Sequence, residues 1–535
     1  MKSFSQAVTL ITVFAIMTRA LGFIFRIILS RILGAELLGI YQIGFAFFMV
    51  FFTIIASGLP LIISREVSGT RSKRKVNGII RGGLIIALGA SIPITLLIVI
   101  LYGPLSHIFK DPRSMTILAF LIPATISAAI YTVFRAVWWG RKNFFLLGIT
   151  EFMEQVIRLI IFGVLITLPF VIGYESHIAA ISFTIASYIS AGLVVFLFFK
   201  KRKKPTTSVN DSPYQSTLSE TRKILTKQKE TSHAKHLLKS AAPITAVRVI
   251  TSLALPLIAI IIPMRLVAAG WDSRTAIAHF GIAAGMVLPL LSIPQTIISS
   301  MATALVPNLS EAVKQNNQAL IKEQINGCIR FTLFINFLLL VPFIGMGQGI
   351  GTFLFADNNA GAYLALSAWI MVPLSLSLIT NAILNSVGAE TRAMSHYLIG
   401  SVVLFACVWF LPEFIGVNAL IVGLGACMTI ATILNIYLIK TKTGNSVKIL
   451  SLFIKFTLIC VPSILLAYFM FGVLGHMFPL FINLALTGSA SVFAFLCLGY
   501  VFNVVDAKSM IAKFSRRKTQ SQKINSVHDA KDCKN

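Results

Sequence analysis

The chain has 535 residues, of which 56% are hydrophobic and only 12% are charged, and its formal net charge is +28. Soluble domains carry about one quarter charged residues, so this composition and the mean hydropathy of +0.86 exclude an ordinary water-soluble domain. The basic residues lie in short connections between apolar runs, which excludes a basic nucleic-acid-binding surface and is typical of a multi-pass membrane protein.

Fourteen apolar segments reach the length of about 20 residues that a helix needs to cross a bilayer. We therefore predict an all-α membrane bundle of about 14 transmembrane helices. The predicted spans are residues 5–29, 38–62, 78–102, 115–139, 144–172, 177–199, 237–264, 276–305, 327–350, 361–387, 394–412, 416–439, 448–472 and 478–504. Similar residues at the ends of corresponding spans in the two halves suggest two repeated lobes, as in many secondary transporters.

The charges of the connections predict the orientation of the chain. Lys and Arg cluster after even-numbered spans, as at 71–75, 141–142 and 200–204, and are sparse after odd-numbered spans. By the positive-inside rule, both termini lie in the cytoplasm. The predicted parts are an N-lobe of spans 1–6 (1–199), a cytoplasmic linker (200–236), a C-lobe of spans 7–12 (237–440), spans 13–14 (441–506) and a basic cytoplasmic tail (507–535).

The first span carries two deep cations. Arg19 lies near its middle and Arg26 follows seven residues later, so both project from one side of a helix. A charge at mid-bilayer costs about 2.5–3.5 kcal/mol, and such residues usually face a watery cavity or a partner. Arg26 either faces such a cavity or extends to the outer interface. Arg19 is too deep to reach the interface easily, which favours a functional cavity.

The fifth span has a second polar face. Glu154 and Arg158 are four residues apart and can form an ion pair, and Glu151 lies one turn earlier on the same face. This face is either an internal salt bridge that lets the helix pack against its neighbours, or a polar wall or gate of the cavity that holds the arginines.

Three other polar residues lie within predicted spans. Arg248, about midway along span 7, is a third deep cation that we expect to face Arg19 across a cleft. Arg135 lies nearer the inner end of span 4, so we expect its side chain to snorkel to the interface. Gln42 is uncharged and either joins neighbouring helices by hydrogen bonds or contributes to the polar wall.

The deep arginines indicate the chemistry of a substrate. A guanidinium group stays protonated and makes paired, charge-assisted hydrogen bonds to phosphate, so these residues favour an anionic substrate over a cationic drug. The sequence has no Gly-rich phosphate loop, no HExxH zinc motif and no GxSxG nucleophile elbow. We therefore expect a protein that is not an enzyme and has no metal site and no cofactor.

Several short motifs lie within or next to the spans. They are Thr18-Arg-Ala-Leu-Gly-Phe23, Arg31-Ile-Leu-Gly-Ala35, Gly39-Ile-Tyr-Gln42, Ser57-Gly-Leu-Pro60, Pro263-Met-Arg-Leu-Val-Ala-Ala-Gly270 and Val306-Pro-Asn-Leu-Ser-Glu-Ala312. Their order and spacing resemble the stage V sporulation protein B family, a polysaccharide-exporter branch of the superfamily that also holds multidrug exporters and lipid II flippases. The resemblance covers nearly all spans and ends only in the linker and the tail.

The resemblance implies a MATE/flippase-like fold with two pseudo-symmetric lobes, alternating access, and outward flipping of undecaprenyl-pyrophosphate-linked oligosaccharide. Such a lipid II-like peptidoglycan precursor would serve the cell wall or the spore cortex. Arg19 matches the first-span arginine of the related lipid II flippases. Their next arginine falls at Phe25, one place before Arg26, and their eighth-span arginine falls near Ala284. We infer that Arg248 takes the place of the latter.

Two other functions stay open. A cation-coupled multidrug exporter would need a carboxylate that exchanges a proton or sodium ion, for which Glu151 and Glu154 are the candidates. A non-transporting membrane scaffold would instead recruit cell-wall synthesis enzymes through the linker and the tail. The resemblance implies a monomer in the cytoplasmic membrane, with the bilayer and a polyprenyl-pyrophosphate-linked glycan as its partners. Coupling to an ion gradient or to the membrane potential stays open.

Overall fold

The computed structural model describes residues 4–70, 72–107, 109, 111–168, 173–202, 237–242, 244–246, 248–444 and 449–502. Every regular element in these ranges is a helix, which confirms the all-α prediction. The chain forms two compact units, unit 1 (Met1–Pro289 and Phe405–Gly423) and unit 2 (Leu290–Leu404 and Leu424–Asn535). The predicted lobe limits stay a prediction, and most of the predicted linker (from 203 to 236) and the predicted tail lie outside the described residues.

The first part of unit 1 is a series of helices that leads into a π-helical turn. In chain order they are α1 (Phe4–Ala56), α2 (Gly58–Ser68), α3 (Lys73–Ile100), α4 (Tyr102–Ser106), α5 (Pro112–Leu121), α6 (Ala124–Gly140), α7 (Phe144–Ile166), α8 (Glu175–Arg202), α9 (Ala254–Ala268) and α10 (Ser273–Gly281), with the turn at Ile282–Val287. A further apolar stretch, Leu237–Ala268, includes α9 and is long enough to be the predicted span 7.

Unit 2 continues the chain with a second set of helices. They are α11 (Leu288–Leu291), which begins in unit 1, then α12 (Ile293–Lys314), α13 (Gln318–Gly345), α14 (Gly347–Phe355), α15 (Asn358–Ser367), α16 (Met371–Ser386), α17 (Glu390–Phe410), α18 (Pro412–Ile415), α19 (Asn418–Thr443), α20 (Ile449–Gly475) and α21 (Leu480–Val501). The end of α17, all of α18 and the start of α19 belong to unit 1.

Helix α1 is 53 residues long but is broken at Gly34, which has φ 68° and ψ −178°. Only glycine adopts this backbone conformation readily, so the break falls where the first span was predicted to give way to the second. Twelve described stretches are apolar and long enough to cross a membrane, and the one that contains the break, Val13–Ser68, is long enough for two crossings. The 23-residue helix α7 adds a mostly apolar candidate. The structure thus agrees with about 14 spans.

Side-chain caps fix the starts of several helices. An Asp or Asn before each of these helices accepts a hydrogen bond from a backbone N–H in the first turn, which otherwise has no partner within the helix. The capping residues are Asp111 for α5, Asp272 for α10, Asn317 for α13 and Asp357 for α15. These short polar residues at the ends of apolar runs explain why the helices begin where they do.

An apolar core holds α2, α3, α6 and α8 together in unit 1. Ile63, Ile79, Val133 and Val194 are almost fully buried at its centre. Each of these side chains contributes about 1.5–3 kcal/mol where burial removes it from water, but in a membrane close packing supplies most of the attraction. The core packs against one side of α6, and another side of α6 contacts the charged helix α7.

A polar contact explains why α18 belongs to unit 1. The Arg265 guanidinium, at the end of α9, forms an ion pair with Glu413, and its Nε donates a hydrogen bond of 2.8 Å to the Trp409 carbonyl oxygen. The guanidinium carbon also lies 5.3 Å from the centre of the Trp409 ring. Since Arg265 bonds both to the end of α17 and to α18, it joins these residues to α9.

Unit 2 has its own polar contact between buried helices. Asn336 on α13 and Ser375 on α16 are fully buried. The Ser375 hydroxyl donates a hydrogen bond of 2.9 Å to Asn336 Oδ1, and the Asn336 amide donates one of 2.7 Å to the Thr332 carbonyl oxygen. Such bonds join membrane helices because an unpaired polar group in hydrocarbon costs free energy.

Candidate functional site

Helices α1 and α7 lie side by side in unit 1. Their contacts advance in the same order along both helices, so the two helices run in the same direction. The contacts are Phe14 with Phe145 (ring centres 5.8 Å apart), Gly22 with Gln155 (a Cβ on Gly22 would lie 3.8 Å from Gln155 Oε1) and Phe25 with Phe162 (ring centres 5.5 Å apart). Parallel packing agrees with their places as the first and fifth spans, which cross the bilayer in the same sense.

The polar face of α7 forms the predicted ion pair. Arg158 Nη2 lies 3.1 Å from Glu154 Oε1, and the two side chains are only 13% and 22% exposed. The Arg158 guanidinium carbon also lies 4.2 Å from the ring centre of Phe183 on α8. This cation–π contact adds attraction where water is largely excluded. Arg158 is therefore held by α7 and α8 together.

The other carboxylate of this face has a partner on a different helix. Glu151 forms an ion pair with Arg135 of α6, and the side chains are 35% and 26% exposed. The Arg135 guanidinium turns toward α7 and lies 5.6 Å from the ring centre of Tyr131, and its extension to the interface stays a prediction. The carboxylate gives this cation a nearby partner of opposite charge.

The two deep arginines of α1 lie on the same side of the helix as Gly22. Arg19 is three residues before Gly22 and Arg26 four residues after it, so all three share one face of the helix. Gly22 is where α1 approaches Gln155. Arg26 is half-buried and Arg19 is exposed. We call Arg19, Arg26, Glu151, Glu154 and Arg158, together with Arg135, the α1–α7 charged cluster.

Tyr41 connects the cluster to an aromatic group that the sequence did not single out. Its buried hydroxyl lies in the same region as Arg26 and Arg158. Its ring stacks on Phe45 with centres 5.7 Å apart, and Phe45 meets the Phe183 ring at the same distance. The spacing of Tyr41 and Phe45, one helical turn apart, was the available signal, but many membrane helices show it.

The other predicted site residues lie elsewhere in unit 1. Gln42 packs against the π-helical turn, where a Cβ on Gly285 would lie 3.4 Å from its Cγ. Arg248 is exposed, and among the described residues it forms no hydrogen bond or ion pair with α7. The membership of both residues in a binding site stays a prediction.

The charges of the cluster determine what it can bind. The cluster holds four arginines and two glutamates, so it carries an excess of two positive charges. The buried Nε atoms of Arg135 and Arg158 have no hydrogen-bond partner among the described residues. These groups offer hydrogen-bond donors next to excess positive charge, an arrangement that suits an anion. No group of three His, Cys, Asp or Glu side chains in the described part of the chain can hold a metal ion.

The helical fold and the intramembrane charges define a multi-pass membrane protein of the MATE-like fold class. The chain belongs to the polysaccharide biosynthesis protein family, which matches residues 4–313. It is 24% identical to stage V sporulation protein B of Bacillus subtilis (strain 168) over 524 residues, covering 94% of this chain and 96% of that protein. It is 22% identical to lipid II flippase MurJ of the same organism, covering 81% of this chain and 82% of that protein.

Solved structures share the fold. One is a multidrug resistance MATE family transporter in an inward-facing conformation, with a TM-score of 0.62 and 15% identity over 82% of this chain and 98% of that one. Another is lipid II flippase MurJ in an inward closed conformation, with a TM-score of 0.59 and 14% identity over 93% of this chain and all of that one. These likenesses confirm the MATE/flippase-like fold that the sequence resemblance implied.

Proposed function

We propose that the protein flips an undecaprenyl-pyrophosphate-linked oligosaccharide across the cytoplasmic membrane by alternating access, with both termini in the cytoplasm. The observation that carries the proposal is the placement of Arg19 and Arg26 on either side of Gly22, where α1 meets the polar face of α7. Two cations on one helix face inside a membrane span cost free energy. We therefore infer that they serve a function.

A pyrophosphate fits this arrangement. Its phosphate oxygens accept the paired hydrogen bonds that a guanidinium group donates, and the four arginines of the α1–α7 charged cluster exceed its two carboxylates by two positive charges. Glu151, Glu154 and Arg158 form the polar wall of the site. The polyprenyl chain is apolar and stays in the lipid, so the protein has to cover only the charged and sugar parts.

The relatives support this class of substrate. The chain belongs to a polysaccharide biosynthesis family, and one of its relatives is a lipid II flippase that aligns with 81% of this chain. A peptidoglycan precursor is therefore the first cargo to test. Since flipping moves a lipid without changing its bonds, the proposed activity is transport and not catalysis.

Flipping of lipid II in proteoliposomes tests the proposal. We expect the wild-type protein to move lipid II, and Arg19→Ala and Arg26→Ala each to reduce the rate by about tenfold or more, since a charge-assisted hydrogen bond contributes about 1.5–3 kcal/mol. Arg31→Ala is the matched control, because Arg31 lies on the same helix segment but on the face opposite Gly22. Equal rates for all four proteins would contradict the site, and no movement by wild type would contradict lipid II as the cargo.

A cation-coupled drug exporter is the second candidate, favoured by the fold shared with a multidrug resistance transporter. Its coupling would need a carboxylate that can exchange a cation. Glu151 and Glu154 each already form an ion pair with an arginine, and a transported cation would have to displace that arginine, which argues against the exporter. Efflux of a cationic dye that is lost in Glu154→Gln and unaffected by Arg19→Ala would favour the exporter.

A further inference from the structure

The ends of α2 and α6 lie close together in unit 1. Gly140, the last residue of α6, has no side chain where it passes α2. A Cβ on Gly140 would lie 2.5 Å from the Ser64 carbonyl oxygen. Arg65 follows this contact on α2, and Arg141 and Lys142 follow it at the end of α6. The contact between the two helix ends therefore brings three exposed cations into one region.

The start of α3 lies at the same end of the unit. Thr95 Oγ1 on α3 lies 3.2 Å from Thr125 Oγ1 on α6. Nearer the start of α3, a Cβ on Gly83 would lie 3.4 Å from Val133 Cγ1, which is nearer the end of α6. The two helices therefore run in opposite directions, and the first turn of α3 lies at the end where α6 finishes. That turn consists of three exposed cations, residues 73–75.

Six cations from these three helix ends form one basic surface. We define the basic surface as Arg65, Lys73, Arg74, Lys75, Arg141 and Lys142. All six side chains are exposed, and among the described residues none of them forms an ion pair. The one acidic residue in the same described segments is the half-buried Glu66, so six cations against one carboxylate leave an excess of five positive charges.

The backbone at Lys142 shows that a lysine is not what its turn requires. Lys142 has φ 56°, a left-handed conformation that glycine adopts without steric cost. The turn after α16 has the same hydrogen bonds: the N–H of the left-handed residue bonds to the carbonyl oxygen three residues earlier, and the next N–H bonds to the one five residues earlier. There the left-handed residue is Gly388, with φ 69°. We infer that the Lys142 side chain serves a purpose other than the turn.

The first turn of α3 shows a similar conflict with local stability. The start of a helix carries partial positive charge, which favours acidic residues and disfavours cations. This turn has no acidic residue and three consecutive cations. The positive-inside rule accounts for cations near the ends of spans, but not for their placement at the two positions where they oppose the local structure. Such conflicts are typical of residues that serve a function.

The basic surface lies at the depth of the lipid headgroups. The membrane-length stretches Lys73–Ile100 and Pro112–Gly140 begin and end at it. Trp139, which is 49% exposed, lies next to it, and tryptophan is enriched where a membrane meets water. On α3, the exposed side chains of Ile85 and Ile92 lie two turns apart on one side of the helix. They give acyl chains an apolar surface below the cations.

We propose that the basic surface binds the headgroup of an anionic phospholipid at the ends of α2, α3 and α6. Charge complementarity selects this occupant: the surface has an excess of five positive charges, and phosphate oxygens accept charge-assisted hydrogen bonds from arginine and lysine. A zwitterionic lipid carries a phosphate too, but its own ammonium group cancels that charge. The proposal does not depend on the proposed flippase function.

Native mass spectrometry of the full chain, with phosphatidylglycerol or phosphatidylcholine added to the detergent, tests the proposal. We expect the wild-type protein to retain phosphatidylglycerol at a concentration about tenfold lower than phosphatidylcholine. The triple variant Lys73→Gln, Arg74→Gln, Lys75→Gln should lose at least tenfold in affinity for phosphatidylglycerol, since each cation near an anionic surface contributes about fivefold. The matched control, Arg392→Gln with Lys440→Gln and Lys442→Gln, removes three exposed cations of unit 2 and should change the affinity by less than about twofold.

A single variant separates lipid binding from folding. Lys142→Gly removes a cation and relieves the left-handed backbone, so the affinity for phosphatidylglycerol should fall about fivefold while the melting temperature stays unchanged or rises. Equal retention of the two lipids by the wild-type protein would overturn the proposal, as would equal losses in the two triple variants or an unchanged affinity in Lys142→Gly. Retention of added inorganic phosphate in place of the lipid would also overturn it, because the occupant would then be a free anion.

Discussion

At the scale of single residues, the charged side chains of α7 show how a membrane helix can carry three ionisable groups. Glu154 has its partner on the same helix at 3.1 Å, and Glu151 has its partner, Arg135, on α6. Each charge in a medium of low dielectric constant needs an opposite charge nearby, because desolvation otherwise costs several kcal/mol. The pairs thus allow a polar face to persist within the bundle of unit 1.

The pair between α6 and α7 can be tested by a double-mutant cycle. Arg135→Ala leaves Glu151 half-buried without its partner, and we expect this to lower the free energy of unfolding by about 1–2 kcal/mol, between the values for exposed and buried pairs. With Glu151→Ala and the double mutant, thermal unfolding in detergent should give a coupling energy of about 1 kcal/mol. A coupling energy near zero would show that the contact adds no stability.

At the scale of helices, glycines decide where α1 approaches α10. A Cβ on Gly281 would overlap with the Ala35 carbonyl oxygen, and a Cβ on Gly39 would overlap with the Ile277 carbonyl oxygen. Backbones can come this close only where side chains are missing, a common way for membrane helices to pack. The π-helical turn at Ile282–Val287 directly follows Gly281, and the close packing continues into it, since a Cβ on Gly285 would lie 2.7 Å from Leu38 Cδ2.

This contact predicts the outcome of adding one methyl group. Gly281→Ala should destabilise the protein by about 1–3 kcal/mol, because the new Cβ meets backbone that cannot rotate away. The matched control is Gly89→Ala in α3, where a Cβ would meet nothing within 4 Å. Alanine favours the helix by about 1 kcal/mol over glycine, so the control should be neutral or stabilising. Thermal unfolding of the two variants that gives equal shifts would contradict the close contact.

At the scale of the whole molecule, the proposed flippase and the alternative scaffold differ in their need for the predicted linker. Flipping depends on helices such as α1 and α7, whereas recruitment of other enzymes would depend on residues outside the spans. The connection between α8, which ends at Arg202, and the stretch that begins at Leu237 is rich in Lys, Ser, Thr and Gln and has no apolar face. It has no sequence feature that a transport site would use.

Removal of residues 204–231 therefore separates the two functions. We expect lipid II flipping in proteoliposomes to stay within about twofold of wild type, since loop length changes the closure free energy by less than about 1 kcal/mol per doubling. A Gly/Ser segment of equal length is the control for spacing. Loss of function in cells by both variants, with flipping intact in proteoliposomes, would favour the scaffold.

The candidate site was only partly predictable. Glu154 with Arg158 could be paired from the sequence, because both lie on one helix and the helical repeat places them together. Arg135 with Glu151, and Phe183 beneath Arg158, join different helices, and no local pattern indicates which helices become neighbours. For the same reason, the sequence could not show that Gln42 faces Gly285 and not α7.

The sequence by itself determined that this is an all-helical membrane protein of about 14 spans, because chain composition and segment length are local properties that the bilayer selects directly. It also determined the break at Gly34, since only glycine takes that backbone conformation readily. Only the tertiary structure decided that Arg135 turns toward α7 and that Ser375 donates a hydrogen bond to Asn336. Those contacts depend on packing between distant parts of the chain, where side-chain shape and the need to satisfy each buried polar group act together.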